Sequence, residues 1–326
     1  MDAFKIERNR FYVSLYSKYS MFDNSNNSIR AKSKFISLLE YKCINELHFN
    51  YKLNDNDAIG LYDILRCNRT IRTIYMDCSN LTDPGIEALC LLIYENDHIK
   101  AVHIKLGRIP KKSLILHALC DNDNLKFLDI SDTEFINDDI VIINNMLKKN
   151  KLITQFTLDN IVFSTEHSIN CFEYNTTIKS FDISRCNMTY QQWYNTIISL
   201  CNNTSIEYLS INYNDISNNT DDNYIFSILI RNNKTIKHLI ILNSFINKDD
   251  FYIFCSELID NTTLETVKLS YDDNIVNSEL ILNIIMNNKS LKTFILSNNV
   301  DDISLLQEIT SYTTIKKITI NSIDIK

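Results

Sequence analysis

The chain has 326 residues, 45% hydrophobic and 22% charged, a composition that excludes an intrinsically disordered polymer. A formal net charge of −7 and a pI near 5.4 argue against a nucleic-acid partner, because phosphate binding needs a basic face that displaces counterions. With only 3 glycines and 2 prolines, the chain lacks the turn residues that sandwiches, barrels and glycine-rich phosphate loops require.

The N-terminal stretch MDAFKIERNR has no apolar segment of the signal-peptide kind. The longest apolar run, 88–94, is far short of the ~20 residues that span a bilayer. A cytoplasmic protein without membrane association is therefore expected. Nine cysteines at 43, 67, 78, 90, 120, 171, 186, 201 and 255 form an odd set without a C-x-x-C pair. They read as free, mostly buried thiols rather than a disulfide framework or a zinc site. In the first forty residues, Phe11, Val13 and Leu15 alternate like a strand, 21–28 is polar like a loop, and 29–41 could form a helix. Residues 1–43 are expected to be an N-terminal capping segment. The alternative is a small adaptor module such as an F-box, but the Leu-Pro pair of that family is missing, since no proline precedes Pro84.

From residue 44 one phrase recurs: a polar, asparagine-containing turn followed by apolar residues at positions 1, 4 and 6. It reads NRT-Ile71-RT-Ile74-Y-Met76, then NDN-Leu125-KF-Leu128-D-Ile130 and NTT-Ile178-KS-Phe181-D-Ile183. It returns with starts at Ile206, Ile236, Leu264 and Leu291, and weaker copies start at Ile44, Ile99, Ile153 and Ile315. The spacing of these eleven starts averages about 27 residues. Positions 4 and 6 alternate as a short strand with one buried face. Position 9 is a turn residue such as Cys186, Asn214 or Ser244. Helical periodicity then predicts helices over 84–94, 140–147, 190–201, 222–230, 251–259 and 280–286. Asp83 before Pro84 and the T-x-x-Q box Thr189/Gln192 mark helix starts. Asn-Asn or Asn-Lys pairs, as at 202–203, 232–233 and 287–288, mark helix ends, with asparagine expected in the left-handed capping position that glycine usually takes.

This phrase resembles the leucine-rich repeat, and a period near 28 with a helix in each unit resembles its ribonuclease-inhibitor-like class. The resemblance covers residues 44–326, the expected repeat domain. It implies an α/β solenoid (horseshoe) of about eleven repeats, with a concave parallel β-sheet and convex helices. It also implies a non-catalytic scaffold that binds a protein partner on the concave face. Alternatives within the resemblance are a GTPase-activating regulator, for which Arg108 and Arg185 are the arginines to consider, and a substrate adaptor of a ubiquitin ligase.

No phosphate-loop, G-x-S-x-G or H-E-x-x-H pattern occurs, so no catalytic residue, cofactor or metal is expected. The six histidines, His48, His98, His103, His117, His167 and His238, lie in separate units, and a cluster would need two strand histidines to converge. Acidic pairs at 138–139, 221–222 and 249–250 fit helix starts. The sequons at Asn68, Asn175, Asn261 and Asn288 read as turn chemistry. Candidate contacts come from positions 3, 5 and 7, which point away from the core. Among them are Tyr75, Asp77 and Phe127, an acidic centre of Asp129, Asp159 and Asp182, and an apolar patch of Tyr208, Ile240, Leu242 and Ile295. A monomer is expected.

Overall fold

Residues 4–6, 12–15, 37, 39, 44–216, 224–245, 248–271, 275–304, 306 and 313–325 are described by the computed structural model of the chain. They divide into two compact units, residues 1–165 and 166–326.

In the first unit, β1 (Phe4–Ile6) pairs antiparallel with β2 (Tyr12–Leu15), and every later strand of the sheet is parallel to its neighbour. These are β3 (Glu46–Lys52), β4 (Thr73–Asp77), β5 (Ala101–Lys105), β6 (Phe127–Asp129) and β8 (Gln155–Asp159), while β7 (Glu134–Phe135) and β9 (Val162–Phe163) form a separate two-stranded ladder. The register is set by apolar position 4: Val13, Leu47, Ile74, Val102, Leu128 and Phe156 stand side by side. From Leu47 onward each of these is at most 2% exposed, and each contributes roughly 1.5–3 kcal/mol by leaving water. Helices α1 (Asp55–Leu65), α2 (Asp83–Glu95), α3 (Lys112–Cys120) and α4 (Asn137–Lys149) follow their strands. Leu89, Leu92 and Ile93 of α2 meet Ile74, Met76 and Val102 of the strands, so helices cover one face of the sheet and positions 3, 5 and 7 occupy the other. The segment ahead of residue 44 continues the sheet through β2. Ser37 and Leu39 are helical, and the expected loop at 21–28 lies outside the described residues.

The second unit repeats the arrangement. Strands β10 (Ser180–Ser184), β11 (Tyr208–Asn212), β12 (His238–Leu242), β13 (Thr266–Ser270), β15 (Thr293–Leu296) and β17 (Lys317–Ile320) are parallel, and β18 (Ile323–Asp324) turns back antiparallel on β17. Here the position-4 row is Phe181, Leu209, Leu239, Val267, Phe294 and Ile318, each fully buried. A short ladder joins β14 (Ile275–Val276) to β16 (Asn299–Val300). The helices are α5 (Tyr190–Cys201), α6 (Ile225–Asn232), α7 (Lys248–Asp260) and α8 (Ser278–Asn287). All six helices expected from periodicity are present; for the one expected from 222, residues 222 and 223 lie outside the described residues. The expectation of a helix in every unit fails between β9 and β10. That stretch is short and polar, and holds only the 3-10 turn Phe172–Tyr174, whose buried Phe172 takes the helix's place, its ring 4.5 Å from that of Phe181 and tilted by 45°.

The asparagines between helix and strand are not left-handed. Asn96, Asn150, Asn175, Asn233 and Asn288 are extended, with φ from −93° to −68° and ψ from 107° to 135°. Their side chains explain why. The Asn233 Oδ1 accepts from the N–H groups of Thr235 (2.8 Å) and Ile236 (2.9 Å), while its Nδ2 donates to Leu200 O (2.8 Å) and Asn203 O (3.1 Å) of the preceding repeat. Asn96, Asn203 and Asn288 do the same. An extended backbone lets one amide satisfy a turn below and two carbonyls beside it, four bonds that a left-handed glycine cannot make. Left-handed residues occur instead just after the strands, at Gly107, Asp132, Asn160, Arg185, Tyr213 and Asn243. At position 9, Asn214 Nδ2 donates to Ile183 O (3.0 Å) and its Oδ1 accepts from Cys186 N (2.7 Å), as the repeat pattern implies.

Candidate functional site

Every residue singled out from the sequence faces away from the helices and is half-exposed: Tyr75, Asp77, Phe127, Asp129 and Asp159 in the first unit, and Asp182, Tyr208, Ile240, Leu242 and Ile295 in the second. The structure orders them differently from the sequence reading. Position 5 of four successive repeats places His48, Tyr75, His103 and Asp129 in one row across β3 to β6. His48 and Tyr75 stack at 4.0 Å and 17°, Tyr75 and His103 at 3.9 Å and 13°, and Phe127 closes the row at 4.4 Å from His103, tilted by 34°. Parallel strands roughly 4.8 Å apart hold rings near stacking distance without distortion.

Acidic groups brace this row. Asp129 Oδ2 lies 2.9 Å from His103 Nδ1, and Glu46 Oε2 lies 3.3 Å from His48 Nε2. Asp129 Oδ1 also accepts from the N–H of Ser131 (3.0 Å) and from its hydroxyl. Asp77 repeats this turn on Ser79, at 3.0 Å for the N–H and 2.6 Å for the hydroxyl. Burial, followed by the charges of Glu46 and Asp129, holds the Tyr75 phenol above its ordinary pKa. His48, Tyr75, His103, Asp77, Asp129 and Lys105 line a recess of about 320 Å³. The Lys105 ammonium is paired with Asp132, and that hydrogen bond, ahead of the charges of Asp132, Asp77 and Asp129, raises its pKa.

The acidic centre is thus two different things. Asp129 is engaged by His103 and Ser131, and Asp159 sits diagonally from it across β6 and β8, where Asp129 pairs with Thr157. Asp182 belongs to the second unit, where its charge and, more strongly, burial raise the Tyr208 pKa. The apolar patch is likewise divided. Ile240 and Leu242 alternate along β12 and Tyr208 is diagonal to Ile240, but Lys268 stands between Ile240 and Ile295 in the same row. The two arginines raised as alternatives are both exposed: Arg108 is ion-paired with Glu134, and Arg185 occupies a left-handed turn.

Residue type alone does not set His48 and His103 apart in the sequence. Comparing position 5 down successive repeats reveals the row directly. On the helical side, Leu91, Tyr94 and Leu114 are exposed around a second recess of about 500 Å³ that includes Cys90 and His117. Among the described residues no three metal-ligating groups converge, and no helix is long and apolar enough to cross a membrane.

A family model described as "Leucine Rich repeat" matches residues 67–90. A search of curated proteins finds no match. Among solved structures, the chain is similar to leiomodin-1 actin-binding site 2, at 20% identity and a TM-score of 0.34, covering 44% of this chain and 82% of that one. It is also similar to TLR13 in a complex with ssRNA13, at 13% identity and a TM-score of 0.46, covering 78% of this chain and 36% of that one. The recurring phrase, the parallel strands in register with their helices, and the family match over 67–90 identify the fold as a leucine-rich-repeat solenoid.

Proposed function

We propose that the chain is a non-catalytic interaction scaffold of the ribonuclease-inhibitor-like type, acting in the cytoplasm as a monomer. Its partner is a protein held on the face of the strands away from the helices. The observation that carries this reading is the stack of His48, Tyr75 and His103, with Phe127 tilted against its end, on that face. Half-exposed aromatic rings beside fixed charges have the composition of an interface hot spot. A protein suits this surface better than a nucleic acid, because its carboxylates repel phosphate.

The test contrasts the two faces of β12. Ile240 and Leu242 are half-exposed, while Leu239 and Ile241 are fully buried. Ile240→Ala or Leu242→Ala is expected to weaken capture of the partner by about tenfold or more with an unchanged melting curve. Leu239→Ala or Ile241→Ala is expected to cost about 2–5 kcal/mol of stability by opening a cavity. Partner binding untouched by outward substitutions in both units would overturn the reading.

A further inference from the structure

The recess of the first unit is small for a ligand site, about 320 Å³ against the ~300–1,000 Å³ usual for small molecules, so it suits one long side chain reaching in from a partner. Its charge is one-sided. Glu46, Asp77, Asp129, Asp132 and Asp159 lie on or beside it, against Lys52, which is opposite Asp77 in register, and Lys105, which is already tied to Asp132. Two of the carboxylates are fixed before any partner arrives, since Asp77 and Asp129 are each held through Oδ1 by the serine two residues on. Among the described residues Asp77 Oδ2 has no hydrogen-bond donor, and a carboxylate oxygen has room for about two. Groups fixed in advance lose little entropy on binding.

The rings narrow the chemistry further. His48, Tyr75 and His103 cover one another's faces and turn their edges to the recess. Ring edges carry the positive side of the aromatic quadrupole, so they suit the methylene stem of a side chain rather than its charge, while a guanidinium bonds carboxylates through two parallel N–H groups. A compact, strongly hydrated ammonium lacks that planar fork. We infer that this recess receives an arginine of a protein partner, its guanidinium against the carboxylates of Asp77 and Asp129 and its methylenes along the edges of Tyr75 and His103. The inference rests on the strand face being the contact surface, and adds what that surface recognises.

The probe is an amidated decapeptide of alternating arginine and glycine, compared with the same peptide carrying citrulline, which keeps the shape and removes the charge. Against the full chain at low salt, the arginine peptide is expected to bind about tenfold or more tighter than the citrulline peptide. The double variant Asp77→Asn/Asp129→Asn is expected to lose that margin. Asp97→Asn/Asp123→Asn, an equal change of net charge at exposed turns, should keep binding within about twofold. Ring resonances of His48 and His103 in the unaltered chain should shift with the arginine peptide and not with the citrulline one, which tests the site even if the double variant does not fold. Equal binding of both peptides, equal loss in the control variant, or tighter binding of a single-stranded RNA of similar length would overturn the inference. A captured partner that responds to Ile240→Ala and Leu242→Ala but ignores Asp77→Asn/Asp129→Asn would remove the arginine site and leave the scaffold standing. Indifference to every one of these variants would remove both.

Discussion

At the scale of single residues, the buried asparagines tie one repeat to the next. Asn233 is 3% exposed and its side chain makes five hydrogen bonds, three within its own turn and two to the preceding repeat. Replacing it with alanine leaves buried donors and acceptors unpaired at roughly 1–3 kcal/mol each. Asn233→Ala should therefore lower stability by at least about 3 kcal/mol in a denaturant titration. Its neighbour Asn232 is exposed, and Asn232→Ala should fall within about 0.5 kcal/mol of the parent. A second residue-scale case is the buried ion pair of Lys112 and Asp139, 3.0 Å apart with side chains 7% and 2% exposed. Lys112→Met leaves the Asp139 carboxylate buried without its counter-charge and should cost about 3–5 kcal/mol by the same measurement, whereas adding Asp139→Leu should recover only part of the loss, because it also removes the acceptor of the Ile136 N–H at the start of α4 (3.0 Å). The sequence marks Asn233 as a turn residue through its place in the recurring phrase. It does not reveal the extended backbone, because the carbonyls that select it belong to a helix end and the turn after it, about thirty residues earlier.

At the scale of elements, the strands and helices were legible because two periods alternate within every repeat. Position 4 is apolar in all eleven units, and a one-residue slip would turn the whole row to solvent. The helix starts were legible where capping chemistry is local. In α5 the Thr189 Oγ1 accepts from Gln192 N (3.3 Å) and Gln192 Oε1 accepts from Thr189 N (2.8 Å), as the T-x-x-Q spacing implies. Thr189→Ala should cost about 1 kcal/mol of unfolding free energy and Thr189→Ser much less; equal effects would assign the loss to the methyl group. The missing helix after β9 was not legible, since the repeat phrase resumes on schedule at Ile178 and conceals it. The aromatic row escaped for another reason. His48, Tyr75, His103 and Phe127 are spread over four repeats, and only the register of neighbouring strands makes them adjacent.

At the scale of the whole molecule, burial divides the cysteines into reactive and inert groups. All eight described cysteines are free thiols; Cys67 is exposed, while Cys78, Cys120 and Cys255 lie in the core. Burial pushes the thiols of Cys78, Cys120 and Cys255 far up, and those of Cys90 and Cys201 up to about 11. The thiolate is the nucleophile. Among the described cysteines, a thiol reagent at neutral pH should therefore label Cys67 first and the core cysteines only as denaturant unfolds their repeats, a sequence that mass spectrometry of the labelled peptides can follow. Early labelling of Cys120 or Cys255 would contradict the packing described above.

The asparagine that joins each repeat to the one before it has a consequence for how such a chain can lengthen or shorten over evolution. The junctions at Asn96, Asn203, Asn233 and Asn288 use the same parts: an amide from the later repeat, and carbonyls at the end of the earlier helix or helical turn and in the turn beyond it. A duplicated stretch of DNA encoding one repeat, copied in phase, supplies an amide for the repeat before it and carbonyls for the repeat after it. An in-phase deletion removes one donor set and one acceptor set together, and the flanking repeats meet with matching chemistry. Copies cut out of phase would bury a carbonyl with no donor or an amide with no acceptor. Selection on stability alone would then keep repeat boundaries fixed at these asparagines while the outward residues between them diverged freely.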